Sequence, residues 1–403
     1  MSGRSGNGAG VVTATAWPTD SAALVKFQAP EILFGIGALA EAGYAARRLG
    51  ARRPFVLTDP GIVDAGWVRE LLQHLRDVGL SPVVCRDITP NPKDVEVAAA
   101  YDLYRANECD VIVGIGGGSS MDAAKGVAVL AGNGGSILDY RGVDQVHREI
   151  PPLLMIPTTS GTGADVSQFC IITDTQRHMK VTIMGRALVP DISITDPRLL
   201  TSMPEWLNAA TGLDALTHGI EAFVSLAHNA LADVHALDAV GLVNRHLTRT
   251  MTEPDDHEAR TGMAQASLAA GLAFTNAILG ATHAMSHQVG GLLDAPHGVI
   301  NGILLPHVIR YNAESAPERF VAVARSAGLA VDGMPGAEAA ELLAAHVRQL
   351  ADEVGVPRSL RSLGITEEHL TVLSQNSLED ACLTTNPRAS DAHDIERLFR
   401  AAL

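Results

Sequence analysis

Short apolar, β-branched runs alternate with stretches of helical period through the first half of the chain. "PEILFG" (30–35), "PFVLTD" (54–59), "SPVVCRD" (81–87), "DVIVGIGGG" (110–118) and "PLLMIPTT" (152–159) are predicted strands. Between them "GALAEAGYAARRLG" and "KDVEVAAAYDLYRANE" repeat apolar positions at helical spacing, the second with Asp94 near its start. Alternation of this kind predicts a mostly parallel sheet covered by helices on both faces. The character changes after "PDISITDPRLLTSMP" (190–204): from about residue 205 nearly everything reads as helix, broken by loops at "MTEPDD", "DAPHG" and "TTNPR". The expected organisation is an α/β domain over 21–200 and an all-helical domain over 201–403, preceded by a flexible Gly/Ser/Thr-rich tail over 1–20. No internal repeat or low-complexity tract is visible.

Composition narrows this picture. The chain has 403 residues, 47% of them apolar and 19% charged, which suits a globular protein with a large core. A formal charge of −15 argues against nucleic acid as the main partner. The four cysteines (Cys85, Cys109, Cys170, Cys382) are far apart and lack CxxC spacing, so no disulfide framework is expected and the cytoplasm is the expected compartment. The N-terminal residues lack the continuous apolar core of a signal peptide. One segment, Thr261 to Thr282, runs 22 residues without charge. Its Gln, Ser, Asn, Thr and Gly content points to a buried helix of the helical domain rather than a bilayer span.

Two loops follow predicted strands. "VIVGIGGGSSMDAAKG" (111–126) runs from an apolar strand through a glycine turn into a helix start. Gly116, Gly117 and Gly118 remove side chains, so backbone N–H groups and a helix N-terminus can approach an anion. The loop matches neither GxGxxG nor a Walker loop, and a tight strand-to-helix turn is the lesser alternative on this stretch alone. "PTTSGTGAD" (157–165) adds hydroxyls and glycines after the next strand. Together the two loops favour a diphosphate-containing ligand in the crevice at the strand ends. Asp59, at the end of a third strand, either reads the hydroxyls of an adenosine ribose or is a turn residue before Pro60-Gly61.

The helical half holds the other candidate chemistry. "GATHAMSHQVGGLLDAPHG" (280–298) gathers His283, His287 and His297, with His283 and His287 on one helical face. Upstream, "ATGLDALTHGIEAF" (210–223) puts Asp214 and His218 four apart on another. Three imidazoles and a carboxylate suit Fe(II) or Zn(II) with a position left open for substrate. Each pair alone is weak. Two pairs in an apolar, charge-poor region are stronger, because buried polar groups need partners. On spacing alone His287 could also be a ligand.

The combination "GGGSSMDAAK", "PTTSGTGADVS", "GLDALTHGIEA" and "HAMSHQVGGLLDAPHGVINGILLPHVIRYN" resembles the iron-dependent (group III) alcohol dehydrogenase family over nearly the whole chain after the tail. The resemblance implies a two-domain, dehydroquinate synthase-like architecture and reversible hydride transfer between a nicotinamide cofactor and a small primary alcohol or aldehyde. It makes Asp214, His218, His283 and His297 the metal ligands, with iron preferred and zinc possible, and His287 a non-ligating histidine that relays a proton. It assigns Gly116, Gly117, Gly118, Ser119 and Asp122 to the cofactor diphosphate, Thr158, Thr159 and Thr162 to the second cofactor loop, and Asp59 to the ribose. Lys180 is placed beside the cofactor, and NAD is expected over NADP. Asn91, Phe169, Phe274 and Cys382 become substrate-pocket walls. A homodimer or higher homo-oligomer is implied, with neither a membrane nor nucleic acid as partner.

Asp165 departs from the glutamate of many members, a change expected to alter a hydrogen bond near the cofactor. Two alternatives share the fold. A dehydroquinate synthase-like lyase needs a lysine-rich phosphate site, hard to build from four lysines. A maleylacetate reductase-like enzyme typically lacks the metal ligands.

Overall fold

The computed structural model describes residues 25–403 apart from His178, so the expected tail lies outside the described residues. The described residues form nine strands: β1 (Glu31–Phe34), β2 (Phe55–Leu57), β3 (Val83–Cys85), β4 (Ile112–Gly116), β5 (Gly142–Val143), β6 (Leu153–Pro157), β7 (Phe169–Asp174), β8 (Met179–Met184) and β9 (Ile192–Thr195). The main sheet has the order β1-β9-β6-β4-β2-β3, and every neighbouring pair in it is parallel. All five predicted strands are in it. The sixth, β9, lies in "PDISITDP", which sequence reading treats only as a boundary.

Helices α1 (Ala42–Arg48), α2 (Pro60–Asp64), α3 (Trp67–Asp77), α4 (Asp94–Ala106) and α5 (Gly118–Asn133) connect these strands. The residues of each strand divide between the two faces of the sheet, as the two-residue period of a strand requires. Phe55, Leu57, Leu153 and Met155 pack with α4 and α5 on one face. Val56, Leu154 and Ile156 pack with α1 and α3 on the other. Both faces are covered, so the strands are apolar at nearly every position rather than alternating.

The order also fixes where a ligand can enter. From β2 the chain moves outward to β3, then returns past β2 to β4 on its other side. Such a reversal opens a crevice at the carboxyl ends of the strands. The residues there are Asp59 after β2, the glycine turn after β4, and Thr158-Thr159 after β6.

A second sheet, unforeseen from sequence, pairs β7 with β8 antiparallel and β5 with β8 parallel. Beyond Glu205 only helices follow: α6 (Glu205–Val224), α7 (Ala230–Thr252), α8 (His257–Ala277), α9 (Ala281–Leu293), α10 (His297–Asn312), α11 (Pro317–Ser326), α12 (Gly336–Glu353), α13 (Glu367–Leu378) and α14 (Ala392–Ala401). The uncharged run at 261–282 is not one helix. It is the end of α8, a break at Ile278 with φ 60°, and the start of α9. Among the described residues no single helix is long and apolar enough to cross a membrane, and a bend of 104° separates α8 from α9.

Candidate active site

Asp214 and His218 stand one turn apart on α6, which is buried almost throughout its length. His283 and His287 stand one turn apart on α9, and His297 opens α10. Gly298 lets these helices meet: a side chain there would collide with the backbone carbonyl of Ala210 on α6. Around Asp214 Oδ1 the Nε2 atoms of His283, His218 and His297 lie at 3.7, 3.9 and 3.9 Å. Donor atoms of Asp214, His283 and His297 all fall within 4.8 Å of one another.

Each imidazole is held through its other nitrogen. His218 Nδ1 meets the Gly161 carbonyl at 3.1 Å, His283 Nδ1 the Glu221 carboxylate at 2.7 Å, and His297 Nδ1 the Ser286 hydroxyl at 3.2 Å. With Nδ1 donating to the carbonyl and the carboxylate, the Nε2 lone pairs of His218 and His283 are free for a metal. Asn301 donates to Asp214 at 2.8 Å and so fixes its rotamer. Among the described residues the ion-pair partners of Asp214 are all histidines.

This donor set fits a divalent ion. Bonds of about 2.1 Å in a tetrahedral site put neighbouring donors about 3.4 Å apart, so a small inward movement would close the site on an ion. Without one, the electrostatics are uneven. Burial pushes His218 down to about 4 and lowers His297 well below the usual histidine value. Burial would also lower His283, but Asp214 and Glu221 on either side raise it to about 9. The two carboxylates thus favour positive charge at the centre of the cluster.

His287 differs from its neighbours. Its Nδ1 bonds Asp380 at 2.8 Å, and its ring lies 5.1 Å from that of His297 and 6.1 Å from that of His283. Cys382 is buried beneath it, its backbone N–H donating to Asp380 at 2.9 Å. Phe274 stacks on His218 at 4.4 Å and meets Phe169 at 5.6 Å. Gln168 and Thr275 lock those two phenylalanines together through hydrogen bonds of 2.6 and 2.8 Å. Phe169, Phe274 and Cys382 thus stand at the histidine cluster. Asn91 stands at the glycine loop: its N–H donates to Ser119 Oγ at 3.1 Å, and its side chain reaches Asp294 at the end of α9.

In the crevice, the glycine turn packs against the second loop. A side chain at Gly117 would meet Thr159 at 3.2 Å, and one at Gly118 would meet Thr162 at 3.0 Å. Among the described residues the hydroxyls of Thr158, Thr159 and Ser160 are buried without a hydrogen-bond partner. Orphaned buried hydroxyls cost stability unless a ligand satisfies them, so this loop fits a cofactor rich in acceptors. Thr162 differs, its hydroxyl accepting from the Ala164 N–H at 3.4 Å.

Asp59 does two things. Oδ1 caps α2 through the Ile62 N–H at 3.2 Å, and Oδ2 accepts from Ser120 at 3.1 Å beside Gly116. Asp122, one turn into α5, is pushed up to about 7 by burial, against the pull of Lys125 and Lys180. The Lys180 amine would lie 3.3 Å from a side chain at Gly290 of α9, so this β8 lysine bridges toward the helical half. Asp165 accepts from Ser193 of β9 at 2.7 Å and is itself buried.

Three further residues were not singled out from sequence. Glu221 shares the α6 face of Asp214 and His218, a signal visible in the helical spacing. Asp380 lies 93 residues beyond His287 in a segment without a pattern. Lys125, fully buried, donates to the Ser167 and Phe169 carbonyls at 2.8 Å each and ties α5 to β7. Its burial could not be read from spacing.

Known proteins resemble this chain in sequence and fold. Residues 29–197 match the family "Iron-containing alcohol dehydrogenase", and 208–403 match "Fe-containing alcohol dehydrogenase family, C-terminal". The chain is 39% identical to a 1,3-propanediol dehydrogenase of Citrobacter freundii over 92% of its own length and 96% of that protein. It is 36% identical to an NAD-dependent methanol dehydrogenase of Bacillus methanolicus, over 94% and 99% of the two chains. A crystal structure of a 1,3-propanediol oxidoreductase superposes with a TM-score of 0.92 at 37% identity, covering 94% of this chain and all of that one. The chain belongs to the iron-containing alcohol dehydrogenase family.

Proposed function

We propose that this protein is a metal- and NAD-dependent alcohol dehydrogenase that interconverts a small primary alcohol and its aldehyde. The observation that carries the reading is the convergence of the His218, His283 and His297 Nε2 atoms on Asp214 Oδ1, beside a phenylalanine pair. Asp214, His218, His283 and His297 would hold one divalent ion, iron by family and zinc by ligand chemistry. Bound there, the ion supplies Lewis acidity, and the nicotinamide supplies or accepts the hydride.

The chain's own residues do the rest. The N–H groups of the glycine loop, at the start of α5, would hold the cofactor diphosphate together with Ser119 and Asp122. The hydroxyls of Thr158 and Thr159 gain partners when the crevice fills, and Lys180 closes it from β8. Asp59 Oδ2 takes a ribose hydroxyl, and its charge repels a 2′-phosphate, which favours NAD over NADP. Phe169 and Phe274 exclude water and limit the alcohol to a short chain. His287 donates its Nδ1–H to the Asp380 carboxylate, so Nε2 is left to accept the proton that leaves the alcohol and pass it toward solvent.

The names of the relatives support a short alcohol. Besides 1,3-propanediol and methanol dehydrogenases they include a lactaldehyde reductase of Escherichia coli, 33% identical over 92% of this chain and 97% of that one. The test is to incubate metal-replete protein with NAD and a panel of short primary alcohols and diols, and read absorbance at 340 nm. NADH formation with at least one of them is expected. No NADH from any alcohol, and no aldehyde-dependent NADH oxidation, would reject the dehydrogenase in favour of a lyase on the same fold.

A further inference from the structure

Helix α9 carries His283 and His287, yet it has no cap of its own, since its N-cap residue is Gly280. The orphan N–H groups of its first turn are met by side chains far away in sequence. Glu221 of α6 accepts from Gly280 N–H at 3.1 Å, Thr282 N–H at 2.6 Å and His283 N–H at 3.4 Å. The Ala281 N–H donates to Asn386 at 3.1 Å. The same Glu221 carboxylate also accepts from His283 Nδ1 at 2.7 Å, and the residue is only 2% exposed.

Capping alone does not require this arrangement, because a local Ser, Thr or Asp would serve. Position 280 is closed to one: a side chain there would lie 2.9 Å from the Asn386 side-chain oxygen and 3.1 Å from that of Glu221. Glycine leaves room for a carboxylate that binds the helix end and the ring together.

We propose that Glu221 is the positioning residue of the metal centre, locking His283 to α9 so that Nε2 faces Asp214, and that this lock sets the affinity for a divalent ion. The proposal rests on the reading of His283 as a ligand. A carboxylate on Nδ1 fixes the tautomer and strengthens the donor at Nε2. Its buried charge is offset by backbone N–H groups and the positive end of the α9 dipole. Glutamine cannot do the same, because its NH2 group would face N–H donors and leave one unpaired.

The test strips the protein of metal and titrates Zn(II) against a chromophoric chelator, with thermal melting read in parallel. Glu221→Gln is expected to bind Zn(II) roughly 10–100-fold more weakly. Asn386→Ala loosens the same helix end without touching the ring, and is expected to melt earlier with Zn(II) affinity close to wild type. If Glu221→Gln does not fold, Glu221→Asp retains the charge at shorter reach and is expected to show the weaker binding. Wild-type affinity in the folded Glu221 variant would overturn the proposal, as would an equal loss in Asn386→Ala. Wild-type protein that binds no Zn(II) would instead overturn the metal-centre reading itself.

Discussion

His287 and His283 are one turn apart on the same helix, but their second nitrogens face different carboxylates. Glu221 holds His283 toward Asp214, while Asp380 holds His287. His287→Ala should therefore keep metal and cofactor binding and lose roughly 10²–10⁴-fold in turnover, with part of the rate restored by added imidazole. Elemental analysis beside steady-state rates distinguishes this from a ligand, whose loss would empty the site. Asp59 allows a similar separation. Gly at an N-cap costs only a few tenths of a kcal/mol relative to Asp, so Asp59→Gly should leave stability nearly unchanged. It should narrow the NAD-over-NADP preference in kcat/KM, by about tenfold or more. An unaltered ratio would leave Asp59 as a helix cap only.

At the scale of elements, the alternating strands and helices of the first half were legible because short continuous apolar runs stand apart from stretches of helical period. β9 escaped because four residues between Asp191 and Asp196 look like a loop, and only a place in the sheet, between β1 and β6, makes them a strand. β7 and β8 escaped because no turn motif marks the hairpin between them, and β5, the other partner of β8, is only two residues long. The ligand pairs were legible by their four-residue spacing. Glu221 shares the α6 face of one pair, but its partner His283 lies 62 residues on, and Asp380 has no pattern at all, only a contact across 93 residues of chain. The close approach of α10 to α6 also depends on one position. Gly298→Ala would force α10 away from the Ala210 carbonyl, at a cost of about 1–3 kcal/mol. The expected result is a lower melting temperature together with weaker metal binding, because His297 moves with α10. Weaker metal binding at an unchanged melting temperature would contradict the packing explanation.

At the scale of the whole molecule, the sheet supplies the crevice and the helices supply the proposed ion site, with Asn91–Asp294, His218–Gly161 and Gln168–Thr275 joining them. An ion bound only by the folded protein stabilises it in proportion to RT ln(1 + [ion]/Kd). Zn(II) at a hundred times its Kd should add about 2.7 kcal/mol, or about 3 °C for a chain of this size if it melts as one unit. The shift should vanish in Asp214→Ala. The most direct test is a titration of metal-stripped protein with Fe(II) under anaerobic conditions, reading bound iron and alcohol-dependent NADH formation on the same samples. Activity should rise in step with bound iron and level off at about one ion per chain. Full activity in the stripped protein, or iron bound at that ratio with no gain in activity, would contradict a catalytic metal at Asp214, His218, His283 and His297.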